Sequence, residues 1–136
     1  TFPRPMINSG DYNFSFSGLK THVKNTIEKV TLTDEVISQI SLDFENAILD
    51  VLIKKTLKAA NEFNIKNIVI VGGVSANKKL RYRFQNEKDA SINIFFPDMQ
   101  FSTDNGAMIA YLGWIKSKSN KSTSLDINPN PSLNIN

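Results

Sequence analysis

Hydrophobic residues between positions 34 and 63 recur every three or four residues, which is the period of an amphipathic helix. They form one apolar stripe, made of Ile37, Ile40, Phe44, Ile48 and Val51. Thr33 is a suitable N-cap, and the acidic Asp34 and Glu35 follow in the first turn, where the helix dipole favours negative charge. The pattern therefore predicts a long helix from about Asp34 to Phe63.

Two short apolar runs predict buried strands. The first is Ile68–Val71, which consists of β-branched residues, and the second extends over Ile92–Phe96 until Pro97 stops it. Continuous apolar runs of this length are typical of parallel strands that are covered on both faces.

The alternation of Phe14 and Phe16 with polar residues predicts a further strand over Asn13–Ser17, ended by Gly18. Three more helices are expected: about Leu19 to Lys29, Ser75 as N-cap to about Asn86, and about Asp104 to Lys116 with Thr103 as N-cap. In the last helix the inward positions are expected to be Met108, Tyr111, Leu112 and Ile115.

The predicted order is strand, helix, helix, strand, helix, strand, helix. This alternation indicates an α/β fold with three layers and a mostly parallel sheet. We expect one domain over residues 1–116. Residues 117–136 are rich in Ser and Asn and predict a mobile tail.

Composition narrows the class of protein. A chain of 136 residues with 40% hydrophobic and 21% charged residues can build one globular core. Because it contains no cysteine, a disulfide scaffold, a cysteine nucleophile and a thiolate metal site are excluded. No apolar run is long enough to cross a membrane and no secretory signal is present, so a cytoplasmic protein is expected. The chain begins at Thr1 without an initiator Met, which suggests a piece of a longer protein.

The net charge of +3 permits a nucleic-acid partner but does not by itself indicate one. The basic residues concentrate in one block, made of Lys66, Lys78, Lys79, Arg81, Arg83 and Lys88. Such a block is more often a solvated helix face than a binding surface.

A glycine turn at Gly72 and Gly73 joins the first apolar strand to a predicted helix start, and Asn77 falls in the first helical turn. Glycine lets the backbone approach a ligand closely, and ligands of open α/β sheets gather at the carboxyl ends of strands. A plain strand-to-helix connection explains the same residues. In that case Asn77 is an ordinary polar residue in the first helical turn.

Asp104 occupies the same kind of position after the second strand, where a carboxylate can bind a divalent metal or simply stabilise a helix start. The sequence offers this carboxylate no obvious companion ligands. His22 is the single histidine, and it is expected to be a surface or boundary residue. Ser17 lacks the glycine elbow and acidic partner that a nucleophile needs.

Three segments together resemble the C-terminal half of one family: Phe14–Thr21 (FSFSGLKT), Val71–Arg81 (VGGVSANKKLR) and Thr103–Ala110 (TDNGAMIA). The opening FPRPM at Phe2–Met6 fits as well. The chain is similar in these motifs to the bacterial tRNA threonylcarbamoyladenosine transferases, the TsaD family. Their relatives include the Kae/Gcp proteins, and an older name is O-sialoglycoprotein endopeptidase or glycoprotease.

The resemblance implies the actin/Hsp70/sugar-kinase-like ATPase fold, of which this chain would be the C-terminal lobe. It implies transfer of a threonylcarbamoyl group from threonylcarbamoyl-adenylate to an adenosine next to the tRNA anticodon, with partner proteins of the same pathway. Asn77, Gly72 and Gly73 then match nucleotide- or substrate-binding positions, so the resemblance implies that Asn77 contributes to ligand binding and not to folding. Asp104 matches one ligand of a single divalent metal, iron or zinc, whose histidine ligands are absent from this chain.

Two other functions remain open at this point. One is a non-catalytic lobe that binds nucleotide and scaffolds partner proteins. The other is the metalloendopeptidase of the older name, for which the sequence offers no complete metal and base arrangement. A lobe without its counterpart would expose Phe14, Phe16 and the loop after Val71, so we expect the chain alone to self-associate.

Overall fold

The computed structural model describes residues 1–119 and residue 128. Within these residues, four α-helices and two β-strands follow one another. They are α1 (Ser17–Ile27), α2 (Asp34–Glu62), β1 (Asn67–Val69), α3 (Lys78–Glu87), β2 (Asn93–Phe95) and α4 (Gly106–Lys118). Short 3-10 turns at Gly73–Ala76 and Met99–Phe101 precede α3 and α4.

The long helix α2 lies where the hydrophobic pattern predicts it. Thr33 is its N-cap, and the Thr33 hydroxyl accepts the Val36 N–H over 3.3 Å. The helix ends at Glu62, and the left-handed φ of 54° at Asn64, two residues later, lets the Ile65 N–H bond back to the Ala60 carbonyl over 2.7 Å.

Strands β1 and β2 pair in parallel, with Ile68 opposite Ile94 in the register. These two side chains face the core, whereas Val69 and Phe95 point to the open side and are 64% and 52% exposed. The α/β class with a parallel strand pair is therefore confirmed. The prediction that the strands are covered on both faces is wrong for the described residues, in which helices cover one face of the sheet.

Two apolar clusters hold the elements together. The larger joins α2 and α3 to the sheet, and its buried members are Leu49, Ile53, Ala60, Leu80, Phe84, Ile92 and Ile94. The smaller joins α1 to α2 around Phe2, Leu19 and Ala47. Helix α2 contributes to both clusters, so its middle stretch is buried on more than one side.

The predicted strand at Asn13–Ser17 does not form, and this segment runs without regular structure into α1. Its backbone bonds to a side chain and not to a neighbouring strand, since the Asn13 carbonyl accepts a hydrogen bond from the Lys55 ammonium over 2.7 Å. The Phe14 and Phe16 rings stack on each other with centroids 6.5 Å apart. The alternating Phe14 and Phe16 therefore stack on each other in an irregular segment and do not line one face of a strand.

Helix α4 also departs from expectation. It extends to Lys118, so the domain boundary at 116 falls inside the helix. None of its residues is buried by the described part of the chain, and the four positions expected to face inward are all at least 45% exposed. The rest of the predicted tail lies outside the described residues, except Asn128. Within the described residues, no helix is long and apolar enough to cross a membrane.

Candidate functional site at the carboxyl edge of the sheet

Two loops leave the same edge of the sheet, because β1 and β2 are parallel. The first, residues 70–77, is called the glycine loop below, and the second, residues 96–105, is called the Asp104 loop. They are close neighbours: a methyl group built on Gly73 would lie 3.9 Å from the Cγ2 atom of Thr103. The structure therefore brings together the two segments that the sequence singles out.

Gly72 has a backbone conformation that requires glycine. Its φ is 88° and its ψ is 170°, a region that residues with a Cβ rarely enter. The chain turns at this point from the end of β1 into the 3-10 turn Gly73–Ala76. Glycine is thus needed at this position to redirect the backbone, whatever the loop binds.

Asn77, and not Ser75, is the N-cap of α3. Its Oδ1 accepts the Leu80 N–H over 2.8 Å, while its Nδ2 donates to Glu45 Oε1 on α2 over 2.8 Å. The hydrogen bond from Asn77 is the main cause that lowers the pKa of Glu45. Burial acts against it, and the nearby Lys79 adds to the lowering. The expectation that Asn77 has no part in folding is therefore wrong.

Ser75 lies inside the glycine loop and is fully buried. Its hydroxyl has no hydrogen-bond partner among the described residues. A buried hydroxyl costs about 1–3 kcal/mol when neither protein, water nor ligand pairs with it.

Asp104 is exposed and precedes the first turn of α4, because Asn105 is the N-cap in place of the predicted Thr103. The Asn105 Oδ1 accepts the Met108 N–H over 3.0 Å. Asp104 therefore lies before the helix, in the last part of the Asp104 loop. The described residues contain no group of three or more His, Cys, Asp or Glu side chains that could hold a metal, so Asp104 offers a single ligand.

Arg81 joins the two loops. Its Nε donates to the Ser75 carbonyl over 2.6 Å, and its Nη2 donates to the Pro97 carbonyl over 2.7 Å and the Ser102 hydroxyl over 3.3 Å. The guanidinium also lies 4.9 Å from the centroid of the Phe96 ring. Sequence reasoning placed Arg81 in the basic block and at the end of the Val71–Arg81 segment, but gave it no role of its own. The sequence signal that could have revealed its role is its position one helical turn after Asn77, close to the glycine loop.

Other members of the basic block are likewise engaged within the chain. Arg83 donates to Asp50 over 2.7 Å, and Lys79 pairs with Glu45 over 3.3 Å. Asp50 in turn accepts Arg4 over 2.8 Å. Burial by itself raises the pKa of Asp50, but the bonds from the two arginines outweigh it and leave that pKa below its usual value. Part of the block therefore stabilises the fold through bonds to other elements, which the expectation of a solvated helix face does not include.

His22 is exposed on α1, and its ring packs at nearly a right angle to the Phe2 ring with 5.4 Å between the centroids. It is a boundary residue, as expected. Ser17 begins α1.

A comparison with protein families matches residues 1–111 to the tRNA N6-adenosine threonylcarbamoyltransferases, the TsaD family. The chain belongs to this family. The matched range contains the glycine loop, the Asp104 loop and Arg81, so the features of the carboxyl edge all lie within the TsaD portion.

Individual relatives agree with the TsaD assignment, and each bears the name tRNA N6-adenosine threonylcarbamoyltransferase. The protein of Ralstonia pickettii (strain 12J) is 50% identical over 117 residues, which are 82% of this chain and 34% of the relative. That of Buchnera aphidicola subsp. Acyrthosiphon pisum (strain Tuc7) is 43% identical over 136 residues, or 98% of this chain and 40% of the relative. That of Sulfurihydrogenibium sp. (strain YO3AOP1) is 49% identical over 119 residues, which are 86% of this chain and 34% of the relative. The chain thus spans between a third and two fifths of the length of these relatives.

Proposed function

We propose that this chain is part of a tRNA N6-adenosine threonylcarbamoyltransferase and that its carboxyl edge forms one wall of the active site. The observation that carries the proposal is the convergence of the glycine loop and the Asp104 loop, within a TsaD match, at the sheet edge where α/β proteins bind ligands. The two-layer unit is proposed to be one lobe, the C-terminal one, of an actin/Hsp70/sugar-kinase-like fold.

The reaction transfers a threonylcarbamoyl group from its adenylate to tRNA. The exocyclic amine of adenosine forms a bond to the carbamoyl carbon, the bond from that carbon to the phosphate oxygen breaks, AMP leaves, and the amine loses a proton. Because the adenylate is a mixed anhydride, its leaving group is already good. Catalysis then depends mainly on placing a weak amine nucleophile and on stabilising charge on the carbonyl and phosphate oxygens.

The glycine loop is proposed to bind the adenylate. Gly72 and Gly73 leave the backbone open to close approach, since a methyl group placed on Gly72 would have no heavy atom within 4 Å. Asn77 uses one N–H and one lone pair inside the fold, which leaves a second N–H for an acceptor atom of the ligand.

Asp104 is proposed to contribute one carboxylate to an iron or zinc ion in the full-length protein. A bound metal would supply Lewis acidity. The described residues alone do not complete such a site. The tag-free 136-residue chain should accordingly bind zinc or iron weakly.

The test uses the protein at its full natural length, with tRNA, threonine, bicarbonate, ATP and the partner enzymes of the pathway. We expect threonine to be incorporated into tRNA and Asp104→Ala to abolish transfer. With synthetic threonylcarbamoyl-adenylate as the varied substrate, we expect Asn77→Ala to raise the apparent KM. Lys24→Ala, which changes an exposed lysine of α1, is the control and should behave as wild type. Nucleotide binding without any transfer would instead support a scaffolding lobe, and peptide cleavage would support the older endopeptidase name.

A further inference from the structure

Arg81 is the point where three parts of the chain meet. It lies on α3, and its guanidinium reaches back to the Ser75 carbonyl of the glycine loop over 2.6 Å. The same group reaches forward to the Pro97 carbonyl and the Ser102 hydroxyl of the Asp104 loop, over 2.7 and 3.3 Å. Ser75 and Ser102 are both buried, so these bonds are largely shielded from water.

The geometry requires the fork of an arginine. The bond to the glycine loop comes from Nε and the bonds to the Asp104 loop come from Nη2, so two separate nitrogens of one rigid plane serve the two loops. The flat guanidinium also lies against the Phe96 ring, 4.9 Å from its centroid. A lysine carries its charge on one nitrogen and cannot reproduce both sets of bonds.

We propose that Arg81 is a positioning residue, which holds the glycine loop and the Asp104 loop at a fixed separation for ligand binding. The inference rests on the proposed function, because it assumes that the two loops act on one ligand. Asn77 and Asp104 lie on different loops with no direct bond between them among the described contacts. Their relative placement therefore depends on groups such as Arg81 that contact both loops.

The chain offers a matched control in Arg83, two residues further along the same helix. Arg83 is also partly buried and also bonds to other elements, but its partners are Asp50 on α2 and Glu87 on α3, and neither lies on the two loops. The experiment compares Arg81→Lys with Arg83→Lys in the full-length protein. It measures the Tm, the kcat and apparent KM of transfer from synthetic threonylcarbamoyl-adenylate to tRNA, and hydrogen exchange of the loop amides.

We expect Arg81→Lys to raise the apparent KM about tenfold or more, since hydrogen bonds from a charged donor are lost. Amides of both loops should exchange faster. Arg83→Lys should leave the KM within about twofold of wild type at a similar or larger loss of Tm. Such a split separates positioning from stability, because a purely structural arginine would lower the Tm and the active fraction without moving the KM.

An unchanged KM for Arg81→Lys in an active enzyme would overturn the proposal, as would equal KM changes in the two variants. If the wild-type protein shows no transfer, the proposed function fails instead. The exchange measurement then still decides whether Arg81 ties the loops: protection that persists in both loops of Arg81→Lys would overturn that part independently of activity.

Discussion

The amide of Asn77 donates to the carboxylate of Glu45 over 2.8 Å and so joins the N-terminus of α3 to the middle of α2. The same side chain caps α3 through the Leu80 N–H. A residue that the family resemblance assigns to ligand binding is therefore also a structural link between two helices. The Nδ2 donor of Asn77 links the two helices, whereas the Oδ1 acceptor caps α3, and suitable substitutions can remove one bond without the other.

Replacing Asn77 by Asp should test this division. Asp keeps an oxygen for the Leu80 N–H but places a second carboxylate where the amide donates to Glu45. We expect Asn77→Ala to cost about 0.5–2 kcal/mol, the usual value of a lost N-cap. Asn77→Asp should cost at least as much at neutral pH, and Glu45→Gln should relieve it, because a glutamine amide can donate to the new carboxylate. Urea unfolding of the four variants measures the coupling, and strict additivity of Asn77→Asp and Glu45→Gln would contradict the expectation.

The two glycines of the turn should differ in their tolerance of a methyl group. Gly72→Ala forces a Cβ into a conformation with φ of 88° and should cost roughly 1–3 kcal/mol, although nothing lies within 4 Å to collide with it. Gly73→Ala places its methyl 3.9 Å from Thr103, an ordinary contact, and should change stability by less than about 0.5 kcal/mol. Thermal unfolding compares the pair. Equal losses would contradict the role assigned to backbone strain at Gly72.

Lys55 is buried in the middle of α2 and fixes the segment before α1. Its ammonium donates to the Met6 and Asn13 carbonyls over 3.0 and 2.7 Å and to the Ser9 hydroxyl over 2.7 Å, and it pairs with Asp11 over 3.3 Å. Lys55→Met leaves these acceptors without their donor. We expect a loss of about 3 kcal/mol, at the lower end for broken buried pairs because Asp11 is half exposed.

The neighbouring lysine provides the control. Lys54 makes an exposed bond to Asn8 over 3.2 Å, so Lys54→Met should change the free energy of unfolding by less than about 0.5 kcal/mol. Chemical denaturation reports both values, and limited proteolysis should cut near residues 6–13 in Lys55→Met alone. Similar stability of the two variants would show that the Lys55 bonds contribute little.

Asp11 should make stability depend on acid. The hydroxyl of Ser9 above all, together with the amide of Asn13 and the ammonium of Lys55, lowers the pKa of Asp11 from 3.8 to about 2. Because the folded value lies below the unfolded one, the stabilisation is present above pH 4 and is lost as the pH falls toward 2. Asp11→Asn should therefore lose less stability than wild type between pH 4 and pH 2. Parallel stability curves for the two proteins would rule this contribution out.

The sequence predicted correctly those elements whose hydrophobic pattern fits only one kind of secondary structure. The stripe along α2 and the two apolar runs of β1 and β2 could be identified because periodicity and β-branching point to the same structure. The alternating pair Phe14 and Phe16 could not, since a strand also needs a partner, and the partner of this segment is the side chain of Lys55. Helix α4 is apolar on several sides, so its pattern defines no inward face.

The positions of the two loops could be predicted from the sequence, but the helix caps and the contacts between elements could not. Strand order alone puts the glycine loop and the Asp104 loop at one edge, because parallel strands end together. The caps were wrong by two residues, at Ser75 and Thr103, because a 3-10 turn precedes each helix and serine, threonine and asparagine are all good caps. Arg81 and Glu45 were missed because their roles depend on contacts between elements that local sequence patterns do not encode.

The 136-residue chain alone should self-associate, and α4 is the surface to test. Its large apolar side chains, from Met108 to Ile115, are 45% to 63% exposed. Of the residues expected to add to the open surface, Phe14 and Val71 are exposed, whereas Phe16 is half-buried against the smaller apolar cluster. Exposed apolar surface of this kind and unpaired strand edges both favour association.

Light scattering across a concentration series should give a mass well above the 15.2 kDa of the monomer, with a symmetric dimer as the simplest product. The substitution Leu112→Glu on α4 should restore the monomer with little change in Tm, because no described residue buries that side chain. Ile37→Glu adds the same charge at a similarly exposed position on α2 and should leave association unchanged. A wild-type chain that stays monomeric at high concentration would contradict the prediction. If both variants dissociate the dimer equally, net charge and not the α4 surface controls assembly.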